Sequence, residues 1–145
     1  LEHTFVHIPG IGPKTEQRLW QQGILTWQHY LGTEQKCFPY SRDALVREVL
    51  EESLQNRNNI LFFKDRLATA HHWRLFGAFE DRAVYLDIET NGGHHGVDEI
   101  TVIGLYDGSR VQTYVNGINL DEFETAISAY ELIITFNGSL FDLPV

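Results

Sequence analysis

The residue types best suited to chemistry in this chain are the two acids of Asp87-Ile88-Glu89, which end an apolar run. Side chains alternate along a strand, so Asp87 and Glu89 share one face with Tyr85, while Val84, Leu86 and Ile88 take the other. Two carboxylates this close on a partly covered sheet repel each other and lose hydration, and they stay ionised only where water or a cation compensates. A solvated acidic strand end is the plain alternative. The flanking apolar residues predict instead a central strand carrying a pocketed acid pair. A second segment, Ile134-Thr135-Phe136-Asn137-Gly138-Ser139-Leu140-Phe141-Asp142-Leu143-Pro144, reads as a strand running into a glycine turn and then an acid. Three carboxylates converging at strand ends make a hard oxygen site suited to Mg2+ or Mn2+. Alone, Asp142 is equally well a loop carboxylate after a turn.

A different chemistry is offered by Ile8-Pro9-Gly10-Ile11-Gly12-Pro13-Lys14-Thr15. Uncovered amides at a helix start favour an anion, Lys14 and Thr15 can assist, and glycine at 10 and 12 around Ile11 keeps side chains out of the approach. Of the nearby residues in sequence only Lys14 and Arg18 are basic. The competing reading is a purely structural helical hairpin. Trp20, Trp27 and Tyr30 read as core rather than as base-stacking residues.

The elements that would hold these groups follow from local pattern. Pro13 starts a helix running to about Gln22, and Gly23 ends it with positive φ. A short second helix covers Thr26 to Leu31, closed by Gly32. Ser41 is placed to cap a longer helix through about Gln55, with Leu45, Val49, Leu50 and Leu54 on its apolar face. Asn56 to Asn59 reads as a linker or a helix start. Ile60–Phe63 and Trp73–Phe79 read as helical pieces whose Leu61, Phe62, Trp73, Phe76 and Phe79 would cover a neighbouring sheet. Past Asp81 the pattern becomes strand-like: Ala83–Ile88, then Ile100–Tyr106 and Val111–Val115 joined by Asp107-Gly108, a strong hairpin signal. Asn119 is placed to cap a helix with Leu120, Phe123 and Ile127 on one face, and Leu132–Phe136 is a fourth strand. An antiparallel start followed by a helical crossover can return that strand beside the first and bring Asp142 toward Asp87.

Composition bounds these readings. The chain has 145 residues, 43% hydrophobic and 12% aromatic, which argues against disorder. Its one cysteine, Cys37, excludes an internal disulfide and a cysteine-based zinc finger and fits a reducing, cytoplasmic setting. No apolar run approaches the roughly 20 residues of a membrane span. Net charge is −9, and all of the excess lies beyond residue 80: residues 1–80 balance, while residues 81–145 set only Arg82 and Arg110 against eleven acids. An acidic surface repels phosphate backbones unless bound cations reverse the local field. This half therefore either avoids nucleic acid or uses its acids as metal ligands. The chain starts at Leu1 and contains no methionine, as expected of part of a longer product.

Val84-Tyr85-Leu86-Asp87-Ile88-Glu89-Thr90-Asn91-Gly92 resembles the first motif of the DEDD exonucleases, a branch of the ribonuclease H-like superfamily. Asn137-Gly138-Ser139-Leu140-Phe141-Asp142 resembles their second motif. Phe62-Phe63 and Trp73-Arg74-Leu75-Phe76 resemble the helical lead-in of YprB-type ribonuclease H-like proteins, so the resemblance covers most of residues 57–145. The glycine segment, with Leu19-Trp20 and Gly23-Ile24 behind it, resembles a helix-hairpin-helix.

The resemblance implies an α/β fold: a small all-helical unit over 1–80, with the helix-hairpin-helix at about 5–31, then the leading, incomplete half of a ribonuclease H-like sheet over 81–145. It implies two-metal hydrolysis, with Mg2+ or Mn2+, of the phosphodiester at a DNA or RNA 3′ end. Asp87 would bridge both cations, Glu89 would hold the nucleophile-side metal and its water, and Asp142 would support the second. One metal activates the attacking water while the other neutralises the leaving oxygen, with the two roughly 4 Å apart. Thr90, Asn137 and Phe141 would contact the substrate strand. The backbone and side chains of Gly10, Ile11, Gly12, Lys14 and Thr15 would take a phosphate.

The family's third motif, with a fourth Asp and a Tyr or His base, has no counterpart before Val145. His94 and His95 sit in a Gly-rich loop, where solvation is the ordinary state. Residues 1–145 alone are therefore expected to bind metal weakly and to hydrolyse poorly. A nucleic-acid-binding or scaffold module without catalysis, contacting through the hairpin, is the alternative class, and a metal-free core kept soluble by its acids is a third.

Overall fold

Pro13 and Gly23 bracket the first helix in the way their backbones demand. In the computed structural model, which describes residues 1–92 and 99–136, α1 spans Pro13–Gln21, with Gly12 as its extended N-cap and Pro13 in its first turn. Gly23 follows at φ 83°, a left-handed conformation that glycine adopts at no steric cost. The chain divides into two compact units, Leu1–Ala78 and Phe79–Val145.

The first unit is helical: α1, α2 (Trp27–Gly32), α3 (Tyr40–Gln55), α4 (Ile60–Lys64), a 3-10 segment Thr69–Leu75 and α5 (Phe76–Phe79), whose last residue belongs to the second unit. Thr26 caps α2 by accepting from the His29 amide, and Asn59 caps α4 by accepting from the Phe62 amide. Several expectations are corrected here. The segment before Pro13 is a series of turns, closed by Thr4 N–H to Leu1 O, Ile8 N–H to Phe5 O and Ile11 N–H to Ile8 O. A helix thus follows the glycine hairpin but does not precede it. Ser41 does not cap α3, because Pro39 already holds an extended conformation and its carbonyl takes the amides of Arg42 and Asp43. The buried stripe of α3 is Val46, Leu50 and Ser53, and Leu45 points to solvent. The expected Trp73–Phe79 helix is 3-10 over its first three residues and α-helical over its last four, and Trp73 and Leu61 are exposed.

Two buried polar clusters set this unit's interior. The Glu16 carboxylate, 1% exposed, accepts from Thr4 Oγ1 (2.9 Å) and the Phe5 amide (2.7 Å), and pairs with Arg74 Nη2 at 2.8 Å. His7, 2% exposed, lies between Trp27 and Phe63 at ring centroid distances of 5.3 and 5.7 Å. Ser53 Oγ spends its only hydrogen on the Val49 carbonyl (2.6 Å), so the His7 Nε2–H donates to Ser53 Oγ at 2.9 Å. His7 Nδ1 is then a buried acceptor without a partner among the described residues. Burial, helped by the charge of Arg66, lowers the His7 pKa to about 4.

This buried histidine has a consequence for stability. Between pH 6.5 and about 4 the unfolded chain binds a proton at His7 that the folded chain refuses, so stability falls as the solution is acidified through that window. The full difference amounts to about 3 kcal/mol. All three tryptophans, Trp20, Trp27 and Trp73, lie in this unit. Denaturant titrations read by tryptophan fluorescence at pH 7 and pH 4.5 should therefore show the loss, and His7→Phe should flatten it relative to the parent chain.

Among its described residues the second unit is a four-stranded sheet in the order β3-β2-β1-β4. Its strands are β1 (Ala83–Thr90), β2 (Ile100–Tyr106), β3 (Val111–Val115) and β4 (Leu132–Thr135). β1 is central, antiparallel to β2 and parallel to β4. β1 runs two residues further than its apolar pattern suggests, which places Glu89 inside the strand. The turn between β2 and β3 is locked by Asp107, whose Oδ1 accepts from the Ser109 and Arg110 amides and from Ser109 Oγ, with Gly108 at φ 93°. Those donors, Arg110 first, hold the Asp107 carboxyl well below the usual range.

Val84, Leu86, Ile88, Ile103, Leu105 and Tyr114 form the buried face of the sheet. It packs against Leu120, Phe123, Ala126, Ile127 and Tyr130 of the crossover. Within the helical unit Phe62 meets Phe63 edge-on at 4.9 Å, and Phe63 stacks on Trp27 at 5.6 Å. Asn119 does not cap a helix through its side chain. It turns back to the end of β3, accepting from the Val115 amide and donating to Thr113 O, and the crossover begins as a 3-10 turn (Leu120–Glu122) before α6 (Phe123–Ile127). Among the described residues no helix is long and apolar enough to cross a membrane.

Candidate active site

Alternation along β1 sorts its side chains sharply: Val84, Leu86 and Ile88 are buried, and Tyr85, Asp87 and Glu89 are exposed. Residues directly opposite in a sheet share a face. The ladder therefore lays three rows across the exposed face: Tyr85–Tyr106–Val111, Asp87–Gly104–Thr113 and Glu89–Val102–Val115. Tyr85 and Tyr106 face each other at 6.1 Å between ring centroids. On the other flank of β1, Tyr85 pairs with Ile134 of β4, so the chain leaving β4 departs from the strand beside Asp87.

The ladder breaks at one place. Glu89 pairs with Val102 but Thr90 pairs with Ile100, leaving Thr101 as an extra residue whose Oγ1 donates to Glu89 O at 3.0 Å. The bulge reverses the facing of β2, so that Ile100 packs on the apolar cluster rather than beside Glu89. Thr90, half-buried, alternates to the side of β1 away from Glu89. The base of the following loop is held by Asn91, whose amide donates to Glu99 O and whose Oδ1 accepts from the Glu99 amide.

Asp87 and Glu89 are thus brought together on the open side of the central strand. Their hard carboxylate oxygens and exposed setting fit a divalent cation. Among the described residues no three His, Cys, Asp or Glu side chains cluster as a metal site. Asp142, Asn137, Phe141, His94 and His95 lie outside the described residues.

In the helical unit, Gly10 (φ 77°), Gly12 and Lys14 are exposed and Thr15 is half-buried, while Ile11 is buried in the core at 4% exposure. The Gly12 carbonyl takes the amides of Thr15 and Glu16. Sequence proximity missed a further basic residue. Arg42 of α3 donates to Gly10 O and lies 5.0 Å over the Phe38 ring, and Arg18 reaches the same ring at 5.8 Å. A Cβ at Gly10 would sit 3.2 Å from Arg42 Nη2, the flexible end of a side chain that can give way, so the demand for glycine there comes from its φ. The signal for Arg42 lies thirty-two residues away in the chain, beyond any local pattern.

Residues 84–145 match the family model described as RNase_H superfamily. Comparison with curated proteins and with solved structures found no match. The mixed sheet, with three antiparallel strands and a parallel β4 added beside β1 after a helical crossover, agrees with the leading part of a ribonuclease H-like fold.

Proposed function

We propose, starting from that superfamily match, that this chain carries the leading part of a metal-dependent 3′-to-5′ exonuclease acting on DNA or RNA. The observation that carries the reading is the pairing of Asp87 and Glu89 on the open face of the central strand, next to the strand that leads toward Asp142. Asp87, Glu89 and Asp142 would hold Mg2+ or Mn2+. When bound, such cations acidify water and neutralise charge on the leaving oxygen. The remaining work falls to the chain: Asp87 and Glu89 would fix where the cations sit, and the buried face behind them fixes their strand. A field of −9 across residues 81–145 opposes a polyanion, so substrate approach should depend steeply on the divalent cation.

The test is a linear single-stranded oligonucleotide against its circular counterpart, with Mn2+, in the protein carrying the residues that complete the site. Mononucleotides released from the linear strand alone support the reading. Equal cleavage of the circle contradicts it.

A second reading, a non-catalytic nucleic-acid-binding module, is favoured by one observation. Arg42 donates to Gly10 O, Arg18 shares the Phe38 ring with Arg42, and the exposed Lys14 follows the turn in the chain, which suits a phosphate. Under it, strand binding would survive every change at Asp87 and Glu89 and fall on Lys14→Ala.

A further inference from the structure

Gly104 is a glycine that the fold does not ask for. It lies in the interior of β2, directly between Asp87 on β1 and Thr113 on β3. Unlike Gly10 and Gly108, it has no left-handed φ. Nor does packing among the described residues require it, since there a Cβ would meet only Asp87 O, at an ordinary 3.9 Å. A glycine inside a strand forgoes side-chain packing and loses more freedom on folding than any other residue. The local structure would therefore be steadier with a β-branched residue.

What the glycine does provide is space. Its neighbours on the exposed side of β2 are Val102 and Tyr106, four residues apart and about 13 Å between Cα atoms. Between them the missing side chain leaves a notch that opens from Asp87 toward the exposed Thr113. A side chain at 104 would stand beside the Asp87 carboxylate, since Cβ atoms of opposed residues lie about 5 Å apart.

We infer that Gly104 makes the room in which a nucleotide phosphate lies against Asp87, so that bulk at this position excludes the substrate without harming the sheet. This rests on the hydrolase reading above, and the test separates the two. Thymidine 5′-monophosphate, the kind of product a 3′-to-5′ exonuclease releases, is titrated with Mn2+ into the protein carrying the residues that complete the site and into its Gly104→Ala, Gly104→Val and Asp87→Asn variants. Thermal melting is recorded for each.

The expected result is a graded loss with side-chain size, about tenfold for valine, while the melting temperature of the valine variant holds or rises. Unchanged nucleotide binding in Gly104→Val, with Asp87→Asn defective, overturns the role of Gly104 and leaves the hydrolase reading standing. Binding unaffected by Asp87→Asn removes the hydrolase reading and the inference with it. A lowered melting temperature already in Gly104→Ala makes the glycine structural and likewise overturns the inference.

Discussion

Asp87→Asn should abolish divalent-cation-dependent hydrolysis while leaving the fold intact. Asparagine keeps the size of the side chain but removes the charge that a hard cation requires. Losing one ligand carboxylate withdraws several kcal/mol of charge stabilisation at the transition state; about 4 kcal/mol corresponds to about a thousandfold in rate. The fold should tolerate the change, because Asp87 is exposed on β1 and the packing of that strand comes from Val84, Leu86 and Ile88 on the opposite face. Release of mononucleotides from a labelled strand measures the rate, and circular dichroism checks the sheet. Glu89→Gln should behave alike.

The largest effect on stability is expected from Glu16→Ala. Glu16 holds four donors in a nearly dry site, and its removal leaves Arg74, whose side chain is 14% exposed, without a counter-ion. Breaking one partner of a buried pair costs about 3–5 kcal/mol, because the surviving charge stays desolvated. The pair Arg66–Glu52 is the control. Its side chains are 35% and 47% exposed, and Glu52→Ala should cost less than about 1 kcal/mol. Denaturant unfolding read by tryptophan fluorescence separates the two. Equal small losses would mean that solvent reaches Glu16 after all.

Much of the sheet was legible in the chain because its information is local. The alternation in Ala83–Thr90 assigns Asp87 and Glu89 to one side, and Asp107-Gly108 sets the hairpin that orders β2 and β3. The position of β4 beside β1 follows from the crossover rule. What was not legible depends on contacts between distant residues or on choices among local hydrogen bonds. Glu16 meets Arg74 across 58 positions and His7 meets Ser53 across 46, so a buried acid and a buried serine look like surface residues in a helical pattern. Asn119 and Ser41 have the right types for caps. Asn119, however, finds a better use at the end of β3, and Pro39 starts α3 before Ser41 can act. The bulge at Thr101 leaves no mark in composition, yet it decides that Ile100 rather than Thr101 joins the apolar cluster.

The most direct measurement is the anomalous diffraction of crystals soaked in Mn2+. Metal peaks within about 2.5 Å of the carboxylate oxygens of Asp87 and Glu89 are expected, with the Asp142 carboxylate turned into the same site. Manganese bound elsewhere while these carboxylates stay bare, or Asp142 held beyond bridging reach of them, would contradict the assignment of this sheet face to phosphodiester chemistry.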